Sequence, residues 1–321
     1  MSDKLRAFVE HQAGRAYRKV GRLGRRVLGP SGTGEPPPST GSPAAHSATS
    51  PGSPDAPGFV EPPWEPLPDT TGVACNICRW VGDGFTGRQQ HCEGALCPAC
   101  GSIGRDRFLH WCFTQRTDLH PALRIIECSP RLGRDYRAAM GTWFFYRTSD
   151  FDLRNHQGNL QLDLQAITLP DDSLDVMLCA HVLEHVPDTD KALAELRRVI
   201  APGGHLVLQV PVLQGRTAPP TTPEFHEDHT PVFWRFGFDL TARLREHGFE
   251  TELLCTQQLK DAVDGAANPW NDCSPEFDVP DMLDGAIAED LVVVADRATA
   301  TKLGIEPAYM FLTWDCYAPP E

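Results

Sequence analysis

From Leu123 onward the chain alternates short apolar runs with amphipathic segments, and this alternation restricts the possible folds more than any other feature. Leu123–Glu127 reads as a strand and Arg131–Met140 as a helix. Aromatic-rich Thr142–Thr148 reads as a second strand and Asn159–Leu164 as an edge-like one. Ser173–Ala180 (SLDVMLCA) is apolar at consecutive positions, so both of its faces must be covered. Thr189–Ile200 carries Leu193, Leu196, Val199 and Ile200 on one helical face, with Gly203 and Gly204 as its stop signal. His205–Val210 is another buried strand, Phe236–His247 a helix and Phe249–Cys255 a strand. Leu291–Val294 fits a strand or a buried helix equally, and Tyr309–Tyr317 reads as a closing strand. Strands alternating with helices predict an α/β fold with a mostly parallel sheet covered on both faces.

Composition divides the 321 residues further. In residues 1–28, eight Lys and Arg face Asp3 and Glu10, a balance of +6 that leaves −20 for the remainder of a chain at −14. Leu5, Phe8, Val9, Ala13, Ala16, Val20, Leu23 and Val27 recur there at helical spacing, which predicts a basic amphipathic helix suited to an anionic membrane surface or an acidic partner. Residues 29–70 are rich in Pro, Gly and Ser; twelve of residues 30–70 are proline and none is Lys or Arg. Such a stretch buries too little apolar surface to offset its ordering entropy and is expected to be a disordered linker. No apolar run approaches the roughly 20 residues that span a bilayer, and no apolar leader is visible. A cytoplasmic protein, peripheral at a membrane through residues 1–28, is the expectation. The acidic remainder argues against a general nucleic-acid binder, because neutralising phosphates needs clustered Lys and Arg.

Four of the eleven cysteines form two CxxC pairs, Cys75/Cys78 and Cys97/Cys100, eighteen residues apart. That spacing matches a four-thiolate Zn2+ site in which two turns each present two sulfurs. Gly101 directly follows the second pair, and His91 and Cys92 lie between the pairs as alternative ligands. With every ligand a thiolate, no position is open to water, so the site would be structural. The following segment, with Arg105 and Arg107, reads as a basic helix. The domains expected are a zinc ribbon over 71–105 and a larger α/β domain over 106–321.

Acidic residues sit at the carboxyl ends of the predicted strands, where an open α/β sheet receives ligands. Leu123–Gly133 (LRIIECSPRLG) is a strand ending in Glu127 and a tight turn into a helix. The next strand ends at Asp150, placed to accept hydrogen bonds from ribose hydroxyls, and Asp163 follows a further strand. DVMLCAHVLEHV then empties into His181, Glu184 and His185. With CPACGSIGRDR (Cys97–Arg107), RRVIAPGGHLVLQVP (Arg197–Pro211) and EDHTPVFWRFGFDLTARLREHGFE (Glu227–Glu250), these segments resemble the class I S-adenosylmethionine-dependent methyltransferases. More narrowly they resemble a type-11 subgroup with an amino-terminal zinc ribbon, over about residues 73–256. The resemblance implies a Rossmann-like sheet with an antiparallel closing strand. It also implies a cofactor site from Glu127, Ser129, Pro130, Asp150, Asp163, Leu164, Ala180 and His181. Glu127 would organise the methionine part, Asp150 the ribose, Asp163 and Leu164 the adenine, and Ala180 and His181 would lie beneath the sulfonium. Where the family has acid-x-Gly-x-Gly, this chain reads Glu127-Cys128-Ser129-Pro130-Arg131.

Methyl transfer to a hydroxyl needs a base, and histidine titrates in the right range. His185 is the candidate, with His181 and His229 as alternatives. The expected acceptor is a small molecule or a glycan or glycolipid, whose pocket residues 212–235 would shape. RNA methylation, or a non-catalytic methyltransferase-like partner module, are the competing readings.

Overall fold

The computed structural model describes residues 62–63, 65–86, 95–153, 158–212, 214–226, 229–265, 283, 285–305 and 312–320. The chain divides into two units, Met1–Ala56 and Pro57–Glu321, and the described residues all belong to the second. The basic helix expected over 1–28 and most of the 29–70 linker lie outside them, as do His91 and Cys92.

A short antiparallel pair, β1 (Val73–Ala74) and β2 (Val81–Gly82), carries the first two cysteines in its turn. Helix α1 (Gly104–Arg116) follows the second cysteine pair; the Asp106 carboxylate accepts from the Ile103 N–H at 2.8 Å and so caps its first turn. Then come β3 (Arg124–Cys128), α2 (Arg134–Trp143), β4 (Phe145–Asp150), β5 (Leu160–Gln161) and β6 (Leu174–Ala180). Helix α3 (Thr189–Val199) starts on an Asp188 cap that accepts from the Lys191 N–H, and leads directly into β7 (Ile200–Gln209). A two-stranded ribbon, β8 (Glu224–Phe225) and β9 (Pro231–Val232), precedes α4 (Leu240–Glu246) and β10 (Glu250–Thr256). The chain ends with α5 (Gln257–Val263), β11 (Leu291–Ala295), α6 (Arg297–Leu303) and β12 (Thr313–Tyr317).

Eight strands form one sheet in the order β11-β10-β12-β7-β6-β3-β4-β5. All neighbours are parallel except β12, which runs antiparallel to both β7 and β10. This is the expected Rossmann-like sheet with its antiparallel closing strand. The apolar run of β6 is explained by cover on both faces: Met177 and Cys179 join the core under α3 and α4, while Val176 and Leu178 join the one under α1, α2 and α6. Trp314 on β12 is fully buried in the first core and donates its indole N–H to Thr241 Oγ1 at 2.9 Å.

Several elements begin elsewhere than the periodicity suggests. Helix α2 starts at Arg134, not Arg131, because Arg131 is drawn out of the helix to Asp106 and to the Gly101 carbonyl. Thr142 and Trp143 stay helical, so β4 starts only at Phe145. Gly203 and Gly204 lie within β7, where a register shift absorbs them, although α3 does end at Val199. The helix expected from Phe236 starts at Leu240. Gly237 is pressed against another turn there: an added Cβ would sit 2.2 Å from the Gly215 carbonyl oxygen. The ambiguous 291–294 run is a strand, β11, and no described helix is long and apolar enough to cross a membrane.

Parallel register gathers the functional edge. Cys128 pairs with Ser149 on one side and Cys179 on the other, and Ala180 pairs with Gln209. The carboxyl ends of β3, β4, β6 and β7 therefore form one continuous rim.

Candidate cofactor and methyl-transfer site

The turn after β3 solves its missing glycine with a serine. Ser129 has φ +46°, the left-handed region where a side chain is ordinarily strained. Its N–H donates to the Ser149 carbonyl at 2.7 Å and its hydroxyl to Asp150 Oδ2 at 2.9 Å, so β4 holds it there. The other Asp150 oxygen accepts the Asp152 N–H at 3.0 Å. Each oxygen keeps lone-pair capacity for a further donor. Pro130 is buried behind the turn, and Gly133 caps α2. Glu127 is buried and accepts from Tyr146 Oη at 2.6 Å and Tyr136 Oη at 3.2 Å. Burial outweighs these two donors and pushes its carboxyl up to about 7. Beyond β5, Asp163 Oδ1 accepts from the Gln165 N–H at 2.9 Å, while Leu164 is buried in the core.

At the end of β6, His181 takes φ +55° and its N–H donates to the Gln209 carbonyl at 2.7 Å. The side-chain amide of fully buried Gln209 donates to Thr313 Oγ1 at 3.0 Å, which turns its oxygen toward His181 Nε2 at 3.2 Å. The imidazole proton thus sits on Nε2, and the Nδ1 lone pair faces Arg105 Nη1 at 3.4 Å and Glu184 Oε1 at 3.7 Å. Burial, reinforced by the Arg105 charge, holds His181 well below the usual histidine range. His185, in the short turn Leu183–His185, donates from Nδ1 to the Pro231 carbonyl at 2.8 Å, leaving Nε2 unprotonated 3.8 Å from Glu184 Oε1. Glu184 is 2% exposed, neither of its carboxylate oxygens has a hydrogen-bond partner among the described residues, and burial pushes its carboxyl up to about 8. The His226 ring meets His185 edge-on with centroids 4.6 Å apart. His229 joins through its backbone, its N–H donating to the His226 carbonyl at 2.9 Å.

The four knuckle cysteines converge, with all four Sγ atoms within 4.8 Å of one another. Cys75 and Cys100 are 3.7 Å apart and Cys78 and Cys97 3.6 Å, far beyond the roughly 2.05 Å of a disulfide. The edge of a tetrahedron with Zn–S bonds of about 2.3 Å is close to these separations, so the residues fit zinc. The two turns are alike. The N–H of Arg79 returns to the Cys75 carbonyl and that of Gly101 to the Cys97 carbonyl, both at 2.9 Å, and both residues take positive φ, +65° and +72°. The contacts of Cys100 with Cys75 and Cys97 pull those two thiols below the ordinary range, while Cys78 and Cys100 are pushed above it. A cation among the four sulfurs would favour the thiolate form of all of them.

Part of the sheet is similar to known sequences. The family model described as "Methyltransferase domain" matches residues 147–208, the span from β4 to β7. Residues 147–208 are thus similar to that methyltransferase family. Over 53 residues it is 43% identical to "Probable methyltransferase ltbC" of Aspergillus luteorubrus, a stretch that is 16% of this chain and 18% of that protein. Over 49 residues it is 47% identical to the "Uncharacterized 37.1 kDa protein in transposon TN4556" of Streptomyces fradiae, 15% of this chain and 14% of that protein. The chain thus spans less than a fifth of the length of these curated relatives. Among solved structures it is similar to the S-adenosylmethionine-dependent methyltransferase of Mesorhizobium loti, 16% identical over 45% of this chain and 82% of that one, at a TM-score of 0.34.

Along the carboxyl ends of the strands, the structure brings Glu127, Ser129, Pro130, Asp150, Ala180 and His181 to one rim and sets His185 beside it. Asp163 and Leu164 follow β5 at the same edge. Sequence reasoning gave no role to Arg105, Glu184, Gln209 or His226. For Glu184 the signal was present: in HVLEH it falls three residues after His181 and directly before His185.

Proposed function

We propose that this chain transfers a methyl group from S-adenosylmethionine to a hydroxyl of a small-molecule, glycan or glycolipid acceptor. The observation that carries this reading is the Ser129–Asp150 lock, which forms the left-handed turn after β3 and aims a half-satisfied carboxylate at the rim. The cofactor, when bound, supplies an activated methyl group on a sulfonium. The chain's residues then align the acceptor and exclude water. Asp150 offers its remaining lone pairs to the ribose hydroxyls, and Glu127 lies ready for the amino-acid end. His185 is the base: with its Nδ1–H fixed on Pro231, Nε2, 3.8 Å from the Glu184 carboxyl, carries the lone pair that takes the acceptor proton. Zn2+ occupies the four-cysteine knuckle as a closed structural ion. The basic segment 1–28 holds the protein at an anionic surface, which suits a glycolipid acceptor.

Calorimetric titration of the full, zinc-loaded chain with S-adenosylhomocysteine tests the cofactor site. Binding at about micromolar strength is expected, weakened about 10- to 100-fold by Asp150→Ala through loss of hydrogen bonds to a charged acceptor. Folded, zinc-loaded protein that takes up no ligand would turn the reading to a non-catalytic partner module.

A further inference from the structure

Asn76 carries a buried hydrogen-bond acceptor that no group among the described residues uses. It lies between the first two cysteines, in the turn that joins β1 to β2, and is 5% exposed. Its Nδ2 donates to the Arg107 carbonyl on α1 at 2.9 Å, which fixes the orientation of the amide and leaves Oδ1 without a partner. Burying an acceptor in this way is costly, so it marks a place where a donor is missing.

Asn76 lines a cavity of about 250 Å³ to which Pro63, Pro66, Leu67 and Trp111 give apolar walls. The segment that carries the prolines is tied down. Arg79 donates to the Glu65 carbonyl at 3.1 Å and to the Pro66 carbonyl, and Lys302 Nζ donates to the Pro68 carbonyl at 2.6 Å. The cavity is therefore formed before any ligand arrives. Two further donors on its walls are committed: the Trp111 indole N–H to the Val294 carbonyl at 2.8 Å, and the Thr114 hydroxyl to the Trp111 carbonyl at 3.0 Å. Arg79 and the exposed Glu65 bring one charge of each sign, so the lining has no net charge and favours a neutral ligand. Its volume lies just below the roughly 300 Å³ at which drug-sized sites begin, so that ligand is small. Flat apolar walls beside a single buried acceptor suit the face and the donor edge of an aromatic ring.

We propose that this cavity binds a small neutral aromatic molecule bearing one N–H or O–H, an indole or a phenol in chemical class, with that donor on Asn76 Oδ1. The site is built from the first cysteine turn and the second half of α1, apart from the strand-end rim, and it does not depend on the methyltransferase reading. It is tested on the full, zinc-loaded chain with two probes of one shape, indole and benzofuran, in which an oxygen replaces the N–H. Binding is followed by the NMR shifts of the Trp111 indole N–H and the Asn76 side-chain amide. Indole is expected to bind at about 0.1 to 1 mM, as befits so small a ligand, and benzofuran about 10-fold more weakly. Thr114→Phe fills the cavity from a half-buried helix position and should abolish binding of both, with zinc content and thermal midpoint kept. Asn76→Ala should bring indole down to the level of benzofuran; should that variant lose its zinc, Thr114→Phe still decides. Equal affinity for the two probes overturns the proposal, as does indole binding that Thr114→Phe leaves unchanged. So does the absence of any shift with indole at about 5 mM.

Discussion

Removing the metal from the four-cysteine knuckle is expected to lower the thermal midpoint of this protein by more than about 10 °C, a loss of several kcal/mol. The size follows from where the knuckle lies. Cys75, Ile77, Cys78 and Cys97 are buried in the same core as Phe108 and Phe113 of α1 and Val176 and Leu178 of β6, so the knuckle cannot open without exposing the sheet. The buried Arg107 guanidinium adds to the cost. Its partners at Ala95 and Ser102 belong to the knuckle, and losing them leaves the buried guanidinium with only the Leu303 and Gly304 carbonyls as acceptors. Purified protein should contain one zinc per chain by elemental analysis. Chelation should shift the calorimetric transition, and Cys97→Ser should reproduce much of the shift. Protein isolated under reducing conditions that holds no metal, or whose transition a chelator leaves in place, would rule out a structural ion.

Much of the architecture was legible because its causes are local. The run Leu174–Ala180 needs two covered faces whatever surrounds it, Glu127 falls one residue before the end of β3, and Asp150 closes β4. The CxxC pairs were equally plain, since their spacing alone fixes two turns. What escaped depends on partners distant in sequence. Ser129 can stand in a glycine's conformation only because Asp150 and Ser149, on the next strand, bind its hydroxyl and its N–H. The delayed start of α2 depends on Asp106 capturing Arg131, and the late start of α4 on Gly237 packing against Gly215. Arg105 read only as part of a basic helix after the second cysteine pair until the fold carried α1 to the ends of β6 and β7. Glu184 stood beside two histidines in HVLEH, but nothing in that string shows that its carboxylate points inward between two imidazoles.

That buried carboxyl sets a pH dependence with a definite sign. The folded-state value of Glu184, about 8, lies above its ordinary 4.5, so the native protein keeps a proton that the unfolded chain has already released. Its contribution to stability is therefore complete below pH 4.5 and is lost as the pH rises toward 8. Glu127, raised to about 7, acts in the same direction. Buried His110, lowered to about 4, acts in the opposite one between pH 4 and 6.5, since there the unfolded chain binds the proton. Whole-protein stability thus mixes these effects below pH 6.5, but comparison with Glu184→Gln isolates one of them. The amide resembles the neutral acid in shape and does not titrate. Relative to wild type, Glu184→Gln should gain roughly 3 kcal/mol between pH 5 and pH 8, read from urea midpoints of zinc-loaded protein across that range. His181, His185 and Arg105 face the same carboxyl and remain in both proteins, so their own titration largely cancels. A gap between the two proteins that stays constant with pH would mean that Glu184 is ionised throughout. The His185 Nε2 lone pair would then face a full negative charge in the resting state, and its imidazolium would be stabilised before any acceptor arrives.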